Sequence, residues 1–489
     1  MRLKNYKAIN KFLGILGFFS LALVLAGEWS AAGALWMVAV CLLPAVWLSL
    51  GTSYLGLKIY CVTVLITQTV TLPAFYLRPD RYAFDDYRPF GFASLDALQA
   101  FLILGLFLLL VACLVKLIEL AFDSPVKIEV INLNTMQSYD TTESGRSRGS
   151  SSTHAPTHSA WLAISILLLI VISLPIKSWM FDMGIGLVGT PPPQLPYRLS
   201  GILFYSFNYL VPVALAYFYI KTKRNSLLLA LIVSVYAVII GLLSLSKSVV
   251  LLPIAPIVAF AWMDRRWVIL TFSTLLAGFG VTMVVLARGI VHFHDGNSIG
   301  AFTELGVLGT LSESLARFSW SPELLMVAVD IANRFEGFQS TFLASQFNAD
   351  AVDGTWNMFL TVVSFGQWGG FDHDAIHLEY LGYTIPSGLY GVGASFNSYM
   401  MMAVNNDILM VLPFATYAAI TLIILERSVM NASRKYQLPQ AIAQSGLFFS
   451  VMFFFTGPAT SIFGLILVAS VSLSLLPALV LRIKFKYGG

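Results

Sequence analysis

Leu227–Met263 reads LLLALIVSVYAVIIGLLSLSKSVVLLPIAPIVAFAWM, two apolar runs joined at Ser244-Leu-Ser-Lys-Ser248 and carrying a single charge, Lys247. In hydrocarbon, backbone N–H and C=O groups must be satisfied within the segment, so long apolar runs read as helices. The spacing predicts helices near 226–245 and 248–263 with a tight turn between them. A charge at such a turn is expensive unless it reaches water or a partner. Lys247 reads in two ways: as a snorkelling side chain, or, with its neighbouring serines, as a set of donors for a phosphate oxygen.

Outward from this hairpin the same pattern repeats. Further apolar windows lie near 12–27, 31–49, 55–77, 95–121, 160–177, 200–220, 267–287, 405–426, 442–456 and 459–481, about twelve in all. A hydrocarbon core of roughly 30 Å needs about 20 such residues per helix. The 489-residue chain is 57% hydrophobic and 11% charged, with a mean hydropathy of +0.79. Soluble proteins average about 25% charged residues. The expected fold class is therefore an all-α polytopic membrane protein. Cys41, Cys61 and Cys113 all fall inside expected spans, and no Cys spacing suits zinc. Nothing points to nucleic acid.

Basic residues orient the chain. With both termini cytoplasmic, twenty of the 29 Lys and Arg fall on the inner side and nine on the outer, as the positive-inside rule requires. The expected organisation is helices 1–4 in residues 1–121, a cytoplasmic Ser/Thr-rich loop at 122–159, and helices 5–9 in 160–287. A large outer loop at 288–404 and helices 10–12 in 405–489 follow. Within the 122–159 loop, the stretch Thr141–Thr153 lacks apolar residues that could bury anything and reads as disordered.

Polar chemistry collects on the outer side. Arg78-Pro-Asp-Arg-Tyr-Ala-Phe-Asp-Asp-Tyr-Arg88 is either a self-neutralised interfacial loop or a clamp for a phosphorylated or sugar ligand, with Arg78 and Arg88 at its ends. In the large loop, Glu313 and Arg317, then Asp330 and Arg334, stand four residues apart on expected helices. They form either salt bridges worth about 0.2–0.5 kcal/mol or guanidiniums aimed at a diphosphate, which arginine grips through two nitrogens. Arg288, where the ninth helix ends, has no such local partner. Asp372, His373, Asp374, His377 and Glu379 fit a divalent cation, a general base or a plain hydrated loop. The Gly, Ser and Tyr of 383–398 permit close backbone approach and stacking on sugar rings.

This layout resembles the Wzy-type oligosaccharide repeat-unit polymerases of bacterial envelopes, which include the O-antigen polymerases. The likeness rests on the helix count with a late, dominant outer loop, on Leu243-Ser-Leu-Ser-Lys-Ser-Val-Val250, on Ile331-Ala-Asn-Arg-Phe-Glu-Gly-Phe338, and on Tyr383-Thr-Ile-Pro-Ser-Gly-Leu-Tyr-Gly-Val-Gly393. Lys247 stands where the family often has arginine. The resemblance implies a C-type glycosyltransferase-like architecture in the bacterial inner membrane. The donor it implies is a glycan on a polyprenyl diphosphate carrier, the acceptor a carrier-linked repeat unit, with no metal or cofactor. It casts Arg288, Arg317, Arg334 and Lys247 as diphosphate ligands. Glu336, Asp374 and His377 become candidates for base or sugar contact, and a chain-length regulator protein is a partner it allows. Two alternatives stay open: an O-antigen ligase using the same donor, and a lipid-linked oligosaccharide flippase or other secondary transporter.

Overall fold

The computed structural model describes residues 2–77, 94–121, 155–185, 195–196, 199–222, 226–293, 355–364, 395–436 and 438–456, with isolated positions 309, 312, 316 and 368. The elements among them are helices. In chain order they are α1 (Arg2–Leu25), α2 (Trp29–Leu50), α3 (Leu55–Leu77), α4 (Ser94–Ala121) and α5 (Ala155–Asp182). A rod then runs from α6 (Leu199–Tyr205) through a π-helical turn (Ser206–Leu210) into α7 (Val211–Lys221). The hairpin helices follow, α8 (Leu227–Ser244) and α9 (Lys247–Met263), and then α10 (Trp267–Phe293). After α11 (Thr355–Val363) come α12 (Phe396–Asn406), α13 (Val411–Tyr436) and α14 (Gln440–Thr456).

Six of these stretches are long and apolar enough to cross a membrane, and five shorter apolar helices accompany them. The chain is thus an α-helical membrane protein. The expected span at 459–481 and the loop at 122–154 lie outside the described residues. Helix ends differ from expectation where capping decides them. The fifth helix, expected to stop at 177, runs to Asp182, and Gly184 at φ +70° closes it: Ile185 N–H reaches back to the Met180 carbonyl at 2.7 Å. A left-handed residue just past the last turn satisfies carbonyls that would otherwise be orphaned.

The same closure ends α1 at Gly27, α8 at Leu245 and α9 at Arg265, with the last two at φ 48° and 55° despite their side chains. It folds α8, α9 and α10 tightly together. A Cβ on Gly241 would meet Val250 Cγ2 at 2.1 Å, and one on Gly280 would meet Val238 Cγ2 at 2.7 Å. Both glycines therefore set how closely these three helices approach. Gly105 plays the same part between α4 and α2, where a Cβ would lie 2.4 Å from the Cys41 carbonyl oxygen.

The largest core draws on α2–α5 and α7–α14. The turn before α3 is held by acids from other helices. Glu426 on α13 accepts from the N–H groups of Leu55 and Gly56 at 2.8 and 2.7 Å, and Glu119 on α4 accepts from Ser53 N–H at 2.8 Å. These are carboxylates at a helix N-terminus, where donors and dipole both favour them. Within the stretch expected as outer loop, α12 is buried from Phe396 to Val404. Its first ring, Phe396, lies 6.0 Å from Tyr417, nine residues (about 13 Å at 1.5 Å per residue) along α13 from Glu426. Near its other end Asn405 accepts from Gln99 on α4 at 3.2 Å. At eleven residues α12 is too short to span a bilayer, and it stands inside the bundle as a half-length helix.

Candidate functional site

Ser244 ends α8 and Lys247 begins α9, so the Ser-Leu-Ser-Lys-Ser sequence becomes a closed turn. Ser246 N–H bonds to the Gly241 carbonyl at 2.9 Å and Leu245 N–H to Leu242 at 3.0 Å. This leaves Ser246 and Ser248 with hydroxyls 2.9 Å apart, and Tyr209 hydrogen-bonds Ser248. Lys247 is buried beside them.

A second lysine arrives from α5. Lys177 Nζ donates to Ser244 Oγ at 2.8 Å and to Asn208 Oδ1. Ser244 Oγ also lies 3.1 Å from Asn208 Oδ1 and 2.7 Å from the Ile240 carbonyl oxygen. Lys177 is 1% exposed, and Asn208 and Ser244 are fully buried. Among the described residues no carboxylate lies within ion-pair distance of Lys177. One turn along α5, Ser173 pairs with the Tyr236 hydroxyl at 2.8 Å, extending a polar seam between α5 and α8.

The backbone places Asn208. Pro212 has no N–H and its ring crowds the carbonyl four residues earlier, which is that of Asn208. The chain answers with a π turn at Ser206–Leu210, in which Val211 N–H bonds to Ser206. A π turn adds a residue to the winding and is often found at functional positions. Here it brings the Asn208 amide onto Lys177. The oxygen must face the ammonium, so Nδ2 points elsewhere, and it has no partner among the described residues.

Energetically the arrangement is half-complete. Burying an ammonium costs several kcal/mol, and each hydrogen bond to a charged group returns about 1.5–3 kcal/mol. Two such bonds hold Lys177 in place, and among the described residues no carboxylate stands within ion-pair distance to balance its charge when it is protonated.

No family model, curated protein or solved structure matches the chain.

Among the charged residues singled out from sequence, Lys247 is the one whose side chain is described, and it sits at this turn. Arg288 lies on α10, past Ala287, which shares a core with Leu243, Leu245 and Phe181. Gly280 packs against Val250, and Arg288 is eight residues, about 12 Å, further along α10 toward the end that carries the turn. Arg78, Arg88, Arg317, Arg334, Glu336, Asp374 and His377 lie outside the described residues.

Lys177 and Asn208 were not expected. A helix read to 177 leaves that lysine at its exposed end, whereas the glycine stop at 184 was a legible signal that it lies inside. Asn208 is an ordinary polar residue in an apolar run, and Pro212 is its only advance notice.

Proposed function

We propose that this protein is a membrane glycosyltransferase that polymerises polyprenyl-diphosphate-linked oligosaccharide repeat units on the outer face of the bacterial inner membrane. In this reading twelve helices span the bilayer, both termini are cytoplasmic, and the 288–404 region works at the outer surface. A hydroxyl of the carrier-linked acceptor attacks the anomeric carbon of the donor chain. The bond from that carbon to the diphosphate oxygen breaks, the lipid diphosphate leaves, and a base takes the hydroxyl proton. Cations stabilise the charge that grows on the departing group, an effect realised where charge develops in the transition state. Lys247, Arg288, Arg317 and Arg334 fill that role, with Arg78 and Arg88 as further contacts. Glu336, Asp374 and His377 are the candidates for base or sugar contact.

The observation that carries this reading is that Lys177 bonds to Ser244 at the serine-rich turn that also bears Lys247, with no carboxylate within ion-pair distance of Lys177 among the described residues. That turn is also where the sequence resembles the polymerase family.

Arg288→Ala is expected to abolish long-chain glycan while protein level stays normal. Purified protein mixed with a synthetic polyprenyl-diphosphate repeat unit should yield a ladder of polymers. An unchanged ladder in the variant, or no polymer from the wild type, counts against the proposal. Transfer to a lipid acceptor instead of a repeat unit would identify a ligase.

A flippase or other secondary transporter is the second reading, favoured by α12. Transporters build midplane sites from broken helices, and α12 is a half-length helix enclosed by the bundle. Movement of a labelled lipid-linked oligosaccharide across proteoliposomes without polymer would select it.

A further inference from the structure

We propose that Lys177, Asn208 and Ser244 form a phosphate-oxyanion subsite beneath the α8–α9 turn. What the cluster lacks defines its ligand. Lys177 is buried with only neutral partners among the described residues. The Asn208 Nδ2 group is a buried donor with nothing to accept from it there. A water molecule satisfies the amide but offers a protonated lysine no opposite charge. An oxyanion satisfies both, and a phosphoryl group has enough oxygens to take the ammonium, the amide and a turn hydroxyl together.

Depth agrees with this. Lys177 lies five residues before the end of α5 at Asp182, about 7–8 Å inside the helix end, within reach of a lipid-borne phosphate. The subsite deepens the glycosyl-carrier reading, because a carrier diphosphate is one source of the anion. Its existence does not require glycosyl transfer.

The test uses the full chain in dodecyl maltoside micelles, which carry no phosphate. Binding and thermal midpoint are measured with polyprenyl phosphate, phosphatidylglycerol, inorganic pyrophosphate and uncharged polyprenol. A saturable response to a phosphate-bearing probe and none to polyprenol is expected. Polyprenyl phosphate alone identifies the carrier as the source, phosphatidylglycerol a bulk headgroup, and pyrophosphate a free anion.

Two variants locate the response. Lys177→Met removes the charge, and Asn208→Asp supplies an internal carboxylate that competes with the ligand while keeping the lysine. Each should weaken binding at least tenfold, and Asn208→Asp should keep or raise the midpoint without ligand, which guards against a folding failure in the methionine variant. Wild-type-like binding in Asn208→Asp overturns the subsite. Absence of polymer with this binding intact overturns only the glycosyltransferase reading.

Discussion

Leu245 and Arg265 occupy equivalent left-handed positions, one buried at 2% exposure and the other at the surface. For a residue with a Cβ that conformation costs about 1–2 kcal/mol, and glycine removes the cost. The outcome of substitution therefore depends on what the side chain does. Arg265→Gly gives up an exposed side chain and should leave the thermal midpoint unchanged or slightly raised. Leu245→Gly gives up a buried leucine, whose truncation costs about 2–5 kcal/mol, and should be destabilising by a net 1–3 kcal/mol or so. Thermal unfolding in a single detergent compares the two, and equal effects would mean that burial at the turn contributes nothing.

At the scale of the element, the π turn links local chemistry to the cluster. Replacing Pro212 by alanine restores a donor that can bond to the Asn208 carbonyl, so the α6–α7 rod can wind as a regular helix. Proline inside a helix costs about 3 kcal/mol relative to alanine. Pro212→Ala should therefore raise stability while turning Asn208 away from Lys177 and weakening binding of phosphate-bearing lipid roughly tenfold. A stable variant with unaltered binding would show that the π turn does not place Asn208. On α12 the same scale explains a different choice. Its N-terminal Ser395 caps the helix by accepting from Ser398 N–H at 3.0 Å, and Asn397 accepts from the Tyr60 hydroxyl at 2.5 Å. Tyr60 itself stacks on Phe455 with ring centroids 3.5 Å apart. One polar atom at the start of this buried helix, Asn397 Oδ1, thus finds its partner on α3 and ties down a segment too short to be held by lipid.

Across the whole molecule, Glu426 ties residues 371 and 370 positions apart in sequence, joining α13 to the start of α3. Glu426→Leu leaves two N–H groups without this acceptor, at about 1–3 kcal/mol for an unsatisfied buried group, offset in part because a carboxylate no longer has to be buried. A fall in midpoint is expected, with Glu426→Gln losing less because its amide oxygen still accepts. Equal midpoints in all three proteins would place the anchoring of α3 elsewhere.

Membrane residence, the helical class and the positions of eleven apolar segments were readable in the linear chain, because hydrocarbon imposes a local rule: each segment must be apolar and must satisfy its own backbone. Lys247 was readable for the same reason, as a charge where the local rule allows none. The partners of Lys177, the inward turn of Asn208, the reach of Glu426 to α3 and the burial of α12 belong to the folded molecule. Each joins groups from helices distant in sequence, and a hydrogen bond or a close glycine contact across such a gap depends on how whole helices pack, which no single segment's composition specifies.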